Sequence, residues 1–290
     1  MIRTRSIFRA TVSCSCQYHN TIRKMKFVKL SQTNDAMPTL GLGTWQAEPS
    51  VVKSTVYAAL ELGYRHIDTA FNYNNEEAIG SAITKWIDDG RGTRSELFIT
   101  TKKLEECQKS GLIRNIGLSN FNEEQIEKIV NHATFKPQVL QVELHAYFQQ
   151  IELRKFCEKH NIILTAYAPL GSPGAKNHFV TKYKYSPSTF PDLLSLPDVT
   201  TLAKKYGKTP AQILLHFLVR QNIVVIPKST NLERLKENMD FYDFELTADE
   251  MDTLIRLDKG ENGRIFNFLF WKGVEFHPEY PFESVKQKLL

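Results

Sequence analysis

The stretch VVKSTVYAALELGYRHIDTAFNYNNEEAIGSAITKWIDDGRGTRSELFITTK (51–102) alternates two patterns twice. Val52, Val56, Ala59 and Leu60 fall on one helical face, with Ser50 as a candidate N-cap and Gly63 as the stop. YRHIDTA (64–70) then reads as a strand. Ala78, Ile79, Ala82, Ile83, Trp86 and Ile87 recur at helical spacing, and ELFITTK (96–102) is a second strand.

The alternation continues on both sides. LGLGTW (40–45) is an apolar run before the stretch. After it come IRNIGLSNF (113–121), QVLQVELH (138–145), IILTAYAPL (162–170) and NIVVIPKS (222–229). Between these runs, Asn122 begins a helix, another surrounds residues 153–160, and Thr209-Pro210 caps AQILLHFLV. Thr247 and Glu250 form a capping box for a C-terminal helix. Such alternation predicts a parallel sheet with helical crossovers. The chain has no G-x-G-x-x-G, and Gly41-Leu42-Gly43 is a weak substitute, so a (β/α)₈ TIM-type barrel is favoured over an open doubly wound sheet. Only seven strand patterns are present, so the barrel is expected to be incomplete.

Composition narrows the class. The 290 residues are 42% hydrophobic and 24% charged, as in soluble globular proteins. The net charge of +5 resides in residues 1–24, which carry Arg3, Arg5, Arg9, Arg23 and Lys24 and no acid. The rest is neutral by the same count, so the basic balance gives no reason to expect nucleic-acid binding. No apolar run approaches the ~20 residues of a membrane span. Cys14, Cys16, Cys107 and Cys157 are too few for a disulfide framework and lack metal-ligand spacing, so no metal is expected. The Arg-, Ser- and Thr-rich leader 1–24 reads either as a mitochondrial transit peptide or as an extension upstream of a start at Met25. A cytoplasmic location is expected unless the leader is used. The remainder, 25–290, is expected to be one domain.

Three polar residues sit where strands end. Asp68 closes HID, Tyr73 lies five residues on, and Lys102 closes FITTK. In a parallel barrel the C-terminal strand ends carry the chemistry. A lysine beside a tyrosine lowers the phenol's pKa, and an Asp paired with that lysine holds it charged. Together they would make a proton donor. Taken singly, each residue fits an ordinary role as turn cap, core aromatic or solvated strand end.

The segments MPTLGLGTW (37–45), YRHIDTAFNYNNEEAIG (64–80), ELFITTK (96–102), IGLSNF (116–121), LTAYAPLGS (164–172) and IPKST (226–230) resemble the aldo-keto reductase family, in order along the chain. GRIFNFLFWKGVEFHPEYPF (263–282) resembles that family's variable C-terminal loop, and the whole is similar to the aldose/aldehyde reductase-like branch. The resemblance implies a (β/α)₈ barrel binding NADP(H) in an extended pose, and reduction of a small-molecule aldehyde or ketone by a monomer. It matches Asp68, Tyr73 and Lys102 to three of four catalytic residues. Thr44 and Trp45 match the first strand end, with Trp45 walling the substrate pocket. Ser119, Asn120 and Gln141 match carboxamide contacts, Tyr167 the aromatic stacked on the nicotinamide, and Ser172 a pyrophosphate contact. Lys228, Ser229 and Arg234 match a 2′-phosphate clamp, a donor set suited to a dianion. Glu237 and Asn238 match adenine contacts. Asn231 stands where the family often has Thr. Phe266, Phe268, Phe270 and Trp271 are candidates for an apolar pocket.

The family's fourth catalytic residue is a histidine ending the fourth strand, in a segment like Tyr-Leu-Ile-His, and no such segment occurs here. FITTKK passes directly to LEECQKSGLIR (104–114), which resembles the end of the family's fourth helix, so the junction lies near Lys103. About two βα units, roughly 60 residues, are absent. His145 in ELHAY (143–147) reads as structural rather than as a replacement. Losing a strand should leave two sheet edges unpaired or force a smaller barrel, lower the melting temperature and favour aggregation. Reductase activity is therefore expected to be impaired. The alternatives are a non-catalytic NADP-binding or interaction protein, or a poorly folded splice or gene-model product.

Overall fold

The computed structural model describes residues 25–101, 111 and 113–282. The leader 1–24, Cys107, Lys102 and the Lys103–Leu104 junction lie outside the described residues.

The chain opens with an antiparallel hairpin, β1 (Phe27–Lys29) and β2 (Ala36–Pro38). Sequence patterning did not reveal it. Its Leu30 and Met37 are buried with Val224, against Val28, Phe98, Val139 and Ile163. The last three lie at the starts of barrel strands, so the hairpin plugs the N-terminal end of the barrel.

Seven parallel strands follow: β3 (Leu42–Gly43), β4 (His66–Asp68), β5 (Phe98–Thr100), β6 (Gly117–Ser119), β7 (Val139–Glu143), β8 (Ile163–Tyr167) and β9 (Val224–Val225). They form two ladders, β3-β4-β5 and β6-β7-β8-β9. Parallel bridges Leu40↔Val225 and Gly43↔Lys228 join β9 to β3. Among the described residues nothing pairs β5 with β6. Among the described residues the barrel is thus open between β5 and β6, the first of the two outcomes expected of a lost strand. β4 is fully buried, whereas β5 is only half-buried and Gly117 of β6 is exposed.

Helices cover the outside. α1 (Pro49–Leu62) and α2 (Glu76–Asp88) pack together, and Trp86 Nε1 donates to Glu61 at 3.0 Å. Ser50 is not the cap of α1. Glu48 holds that place and Pro49 leads the helix, where its missing N–H costs nothing. Gly63 ends α1 at φ 106°, a left-handed stop. α3 (Glu123–His132) is capped by Asn122 with Gln125, and buries only Ile126. α4 (Ile151–Lys159), α5 (Lys176–Tyr183) and α6 (Pro197–Tyr206) follow. α7 (Pro210–Val219), with its Thr209/Gln212 capping box, is buried from Gln212 onward. α8 (Leu232–Met239) and the Thr247-capped α9 (Ala248–Ile255) complete the set. No helix among the described residues is long and apolar enough to cross a membrane.

Candidate active site

The C-terminal strand ends surround a cavity of about 1060 Å³. Asp68, last in β4, is buried, and its Oδ1 accepts the Gln141 Nε2–H at 2.7 Å. Tyr73 lies on a 3₁₀ turn, Phe71–Tyr73, and faces the same cavity. Burial, and then the Asp68 charge, push its phenol well above the ordinary value. Those two influences alone make Tyr73 a poor acid at neutral pH, so a nearby cation is what the chemistry needs. Lys102, the sequence candidate, follows β5 by two residues, outside the described residues.

Asn75 was not singled out by sequence. Its buried Nδ2 donates to the Thr44 and Ala47 carbonyls, both at 3.0 Å. It thereby ties the loop carrying Trp45 to the loop carrying Tyr73. The cue was only an Asn preceding a helix.

On the other side, Tyr167 ends β8 and its hydroxyl donates to Asn120 Oδ1 at 3.0 Å. Asn120 sits at φ 61°, a left-handed conformation that Asn tolerates, with its N–H on the Gln141 carbonyl at 3.0 Å. Ala168 and Ser172, just past β8, also have positive φ, at 53° and 49°. Two such residues beside a cavity are a local cost that marks a shaped loop.

Further along the same cavity lie Lys228, Ser229, Asn231, Arg234, Glu237 and Asn238. Among the described residues neither Lys228 nor Arg234 has a carboxylate within 4.0 Å. Asn231 caps α8 by accepting the Arg234 N–H at 3.0 Å, the job a Thr would do there. The α8 N-terminus and two unpaired cations therefore face one region, an arrangement suited to a phosphate.

The opposite end is aromatic. Trp45 meets Phe179 at 5.8 Å and Phe266 at 6.0 Å between ring centroids. Phe268, Phe270 and Trp271 line it as expected. Phe179 of α5, which sequence reading missed, is the hub. Its ring also lies 5.3 Å from Tyr183, Tyr185 and Phe266. The Phe179–Tyr183 spacing of four on a helix was the available signal.

The cavity thus gathers Trp45, Asp68, Tyr73, Asn120, Gln141 and Tyr167 with Ser172 and the Lys228–Asn238 group. Two candidates are not on its wall. Thr44 is buried, and its hydroxyl is spent on the Asp68 carbonyl at 2.8 Å. Ser119 lies behind the wall with its Oγ buried and unpartnered. No histidine lines the cavity among the described residues. His145 is fully buried beside Glu143, away from it. No group of described residues could hold a metal ion.

A parallel barrel with polar groups converging at its C-terminal face defines an enzyme-like class, and comparison with known sequences gives the particular family. The Aldo/keto reductase family profile matches residues 39–103 and 102–259, so the chain belongs to that family. The match divides into two ranges that meet at residues 102–103. The chain is 34% identical to the Xenopus tropicalis aldo-keto reductase family 1 member A1, across 87% of this chain and 96% of the relative. That alignment runs over 324 positions, more than this chain's 290 residues, and so opens gaps in it. Prostaglandin F synthase 1 of Bos taurus is 33% identical over 90% of this chain and 98% of its own. Among solved structures, a Bombyx mori aldo-keto reductase in complex with NADP superposes with TM-score 0.76 at 29% identity, covering 88% of this chain and 98% of that one. An aldose reductase from Schistosoma japonicum gives 0.75 at 30%, covering 90% and 98%.

Proposed function

We propose that this chain binds NADP(H) and retains most of an NADPH-dependent carbonyl reductase site, with turnover impaired by the absent fourth strand. The observation that carries the reading is the pair Lys228 and Arg234: cations without carboxylate partners among the described residues, beside a helix N-terminus, in the cavity that also holds Asp68 and Tyr73.

The residues present fit the cofactor. Lys228, Ser229 and Arg234 would hold the 2′-phosphate, Glu237 and Asn238 the adenine, and Ser172 the pyrophosphate. Asn120 and Gln141 would meet the carboxamide, with Ser119 behind them rather than in contact. Tyr167 would present its face to the nicotinamide, and Thr44 would brace the Asp68 backbone. When bound, NADPH supplies the electron pair and hydrogen that reduce a carbonyl carbon. The chain's part is then positional and acid–base. The apolar rings around Trp45 exclude water, and the Tyr73 hydroxyl passes its proton to the carbonyl oxygen. A Lys102 ammonium near Tyr73 would lower its phenol, offsetting burial and the Asp68 charge. Without the strand-four histidine, nothing on the described wall orients the carbonyl oxygen beside Tyr73, and such a loss costs ~10²–10⁴ in rate.

The absence of a histidine from the described wall favours one second reading, a non-catalytic NADP-binding protein. Titration of NADPH and NADH by tryptophan quenching tests the shared core of both. NADPH should bind more tightly, and Arg234→Ala should erase the preference. Equal affinity for the two cofactors would refute the reading.

A further inference from the structure

Glu143 ends β7 with no exposed surface, and the mechanism above does not use it. A buried carboxylate is costly unless its oxygens are satisfied. Here three donors serve it. The Ile265 N–H donates to Oε1 at 2.7 Å, the Phe266 N–H donates to Oε2 at 2.9 Å, and His145 Nε2–H donates to Oε1 at 3.1 Å. Two of these bonds reach across more than 120 residues of chain to the C-terminal segment. Both residues they hold are buried, Ile265 at 0% and Phe266 at 4% exposure.

The position matters for the cavity. Glu143 pairs in register with Tyr167, and the Leu144 N–H donates to the Tyr167 carbonyl at 3.3 Å. The Phe266 ring lies 5.9 Å from the Tyr167 ring and 6.0 Å from Trp45, on the cavity wall. Just upstream, Gly263 lies so close to the Tyr147 carbonyl that a Cβ would collide with it. The Arg264 guanidinium is sandwiched between Phe148 at 4.4 Å and Phe282 at 4.0 Å. The segment is thus held at Gly263 and Arg264, and Glu143 is the side chain that holds the next two backbone amides.

We propose that Glu143 is a positioning residue for the substrate end of the cavity. By holding the Ile265 and Phe266 amides it fixes the Phe266 ring against Tyr167 and Trp45, and so shapes the apolar wall for a flat aromatic or apolar carbonyl compound. This rests on the carbonyl-substrate reading of the cavity and adds to it the residue that sets one wall. The proposed phosphate and adenine contacts lie elsewhere and only Tyr167 is shared, so the clasp acts on substrate far more than on cofactor affinity.

The test uses the full chain and its Glu143→Gln and Phe266→Ala variants, singly and combined. Gln keeps the shape, but with its oxygen on the Ile265 N–H its amide N–H groups must oppose the Phe266 N–H donor. The readouts are the dissociation constants of NADP⁺ and of para-nitrobenzyl alcohol, by tryptophan quenching. Glu143→Gln should weaken the alcohol about tenfold, in line with loss of charge-assisted bonds, and leave NADP⁺ within about twofold. In the Phe266→Ala background it should add less than about twofold, because the ring it positions is gone. An unchanged alcohol constant, equal weakening in both backgrounds, or parallel weakening of both ligands would each overturn the proposal. Should Glu143→Gln fail to fold, amide hydrogen exchange in the unaltered chain decides. Ile265 and Phe266 must be far better protected than the turn at 271–277, and equal exchange refutes the clasp. If NADP⁺ fails to bind the unaltered chain, the cofactor reading falls, while the exchange measurement and the alcohol titration without NADP⁺ still judge Glu143.

Discussion

The barrel has two seams of opposite quality, and its chemistry is divided between them. At the β9–β3 seam the chain closes tightly. Gly41 N–H donates to the Val225 carbonyl at 2.9 Å, Val225 N–H to the Thr39 carbonyl at 2.8 Å, and Gly43 N–H to the Pro227 carbonyl at 3.2 Å. The strands approach so closely that a Cβ on Gly43 would sit 2.7 Å from the Ile226 carbonyl, and one on Gly41 would strike the His66 ring. At the β5–β6 seam there is no pairing among the described residues, and both strands are partly exposed. The proposed nucleotide contacts Lys228, Ser229 and Arg234 hang from the closed seam. Lys102, proposed to tune the Tyr73 proton donor, follows β5 at the open seam, and the family's histidine would stand between the two edges. A barrel can lose a strand without losing the ligand contacts anchored opposite the break. Binding and turnover should therefore come apart.

The largest expected effect comes from mending the open seam. Inserting a relative's strand-four segment between Lys103 and Leu104 should raise NADPH-dependent reduction of an aromatic aldehyde by ~10² or more, followed as loss of NADPH absorbance. In the mended protein, Tyr73→Phe should remove at least ~10² of that rate, because the proton donor is gone. A mended chain indifferent to Tyr73 would show that another group handles the proton.

Next in size is the closed seam's own test. Arg234→Ala should weaken NADP⁺ by roughly 10–100-fold, from loss of a charge-assisted contact, and leave NAD⁺ unchanged. Isothermal titration reads both. Equal losses for the two cofactors would mean that Arg234 supports structure rather than the phosphate.

A smaller effect concerns acid. Burial pushes His66 down to about 4, against about 6.5 in an unfolded chain. The fold thus favours the neutral ring. That contribution is complete above pH ~6.5 and is lost as pH falls toward 4, because the unfolded chain takes up the proton first. His66 Nε2 shares a hydrogen bond with Thr100 Oγ1 at 2.9 Å, so this buried ring also ties β4 to β5. Between pH 7.5 and 5.5 the chain should lose about 1 kcal/mol of stability that His66→Asn does not lose, seen in denaturant melts. Identical pH dependence in the two proteins would remove His66 from the account.

Much of this was legible in the sequence because the signals are local. The caps at Asn122, Thr209 and Thr247 sit where side-chain oxygens must meet free N–H groups, and all three hold. Seven strand patterns correspond to seven parallel strands among the described residues, where β5 and β6 are left unpaired with each other. The hairpin plug escaped because strands as short as FVK and AMP carry no periodicity, and its burial depends on strand starts far along the chain. Glu143 escaped for a related reason. Within ELHAY it looks like a polar strand end, and only the fold brings residues 265 and 266 to it. Thr44 and Ser119 were found by motif, yet their side chains lie behind the wall, a distinction that strand alternation over two or three residues cannot make.

The division between the seams is tested most directly in one sample: the unaltered chain mixed with NADPH and an aromatic aldehyde, with bound-NADPH fluorescence and NADPH loss followed together. The account predicts a saturable binding signal and oxidation at least ~10²-fold slower than in a full-length relative. Oxidation at the relative's rate would show that the open seam lacks nothing essential, and absence of the binding signal would show that the closed seam does not hold the nucleotide.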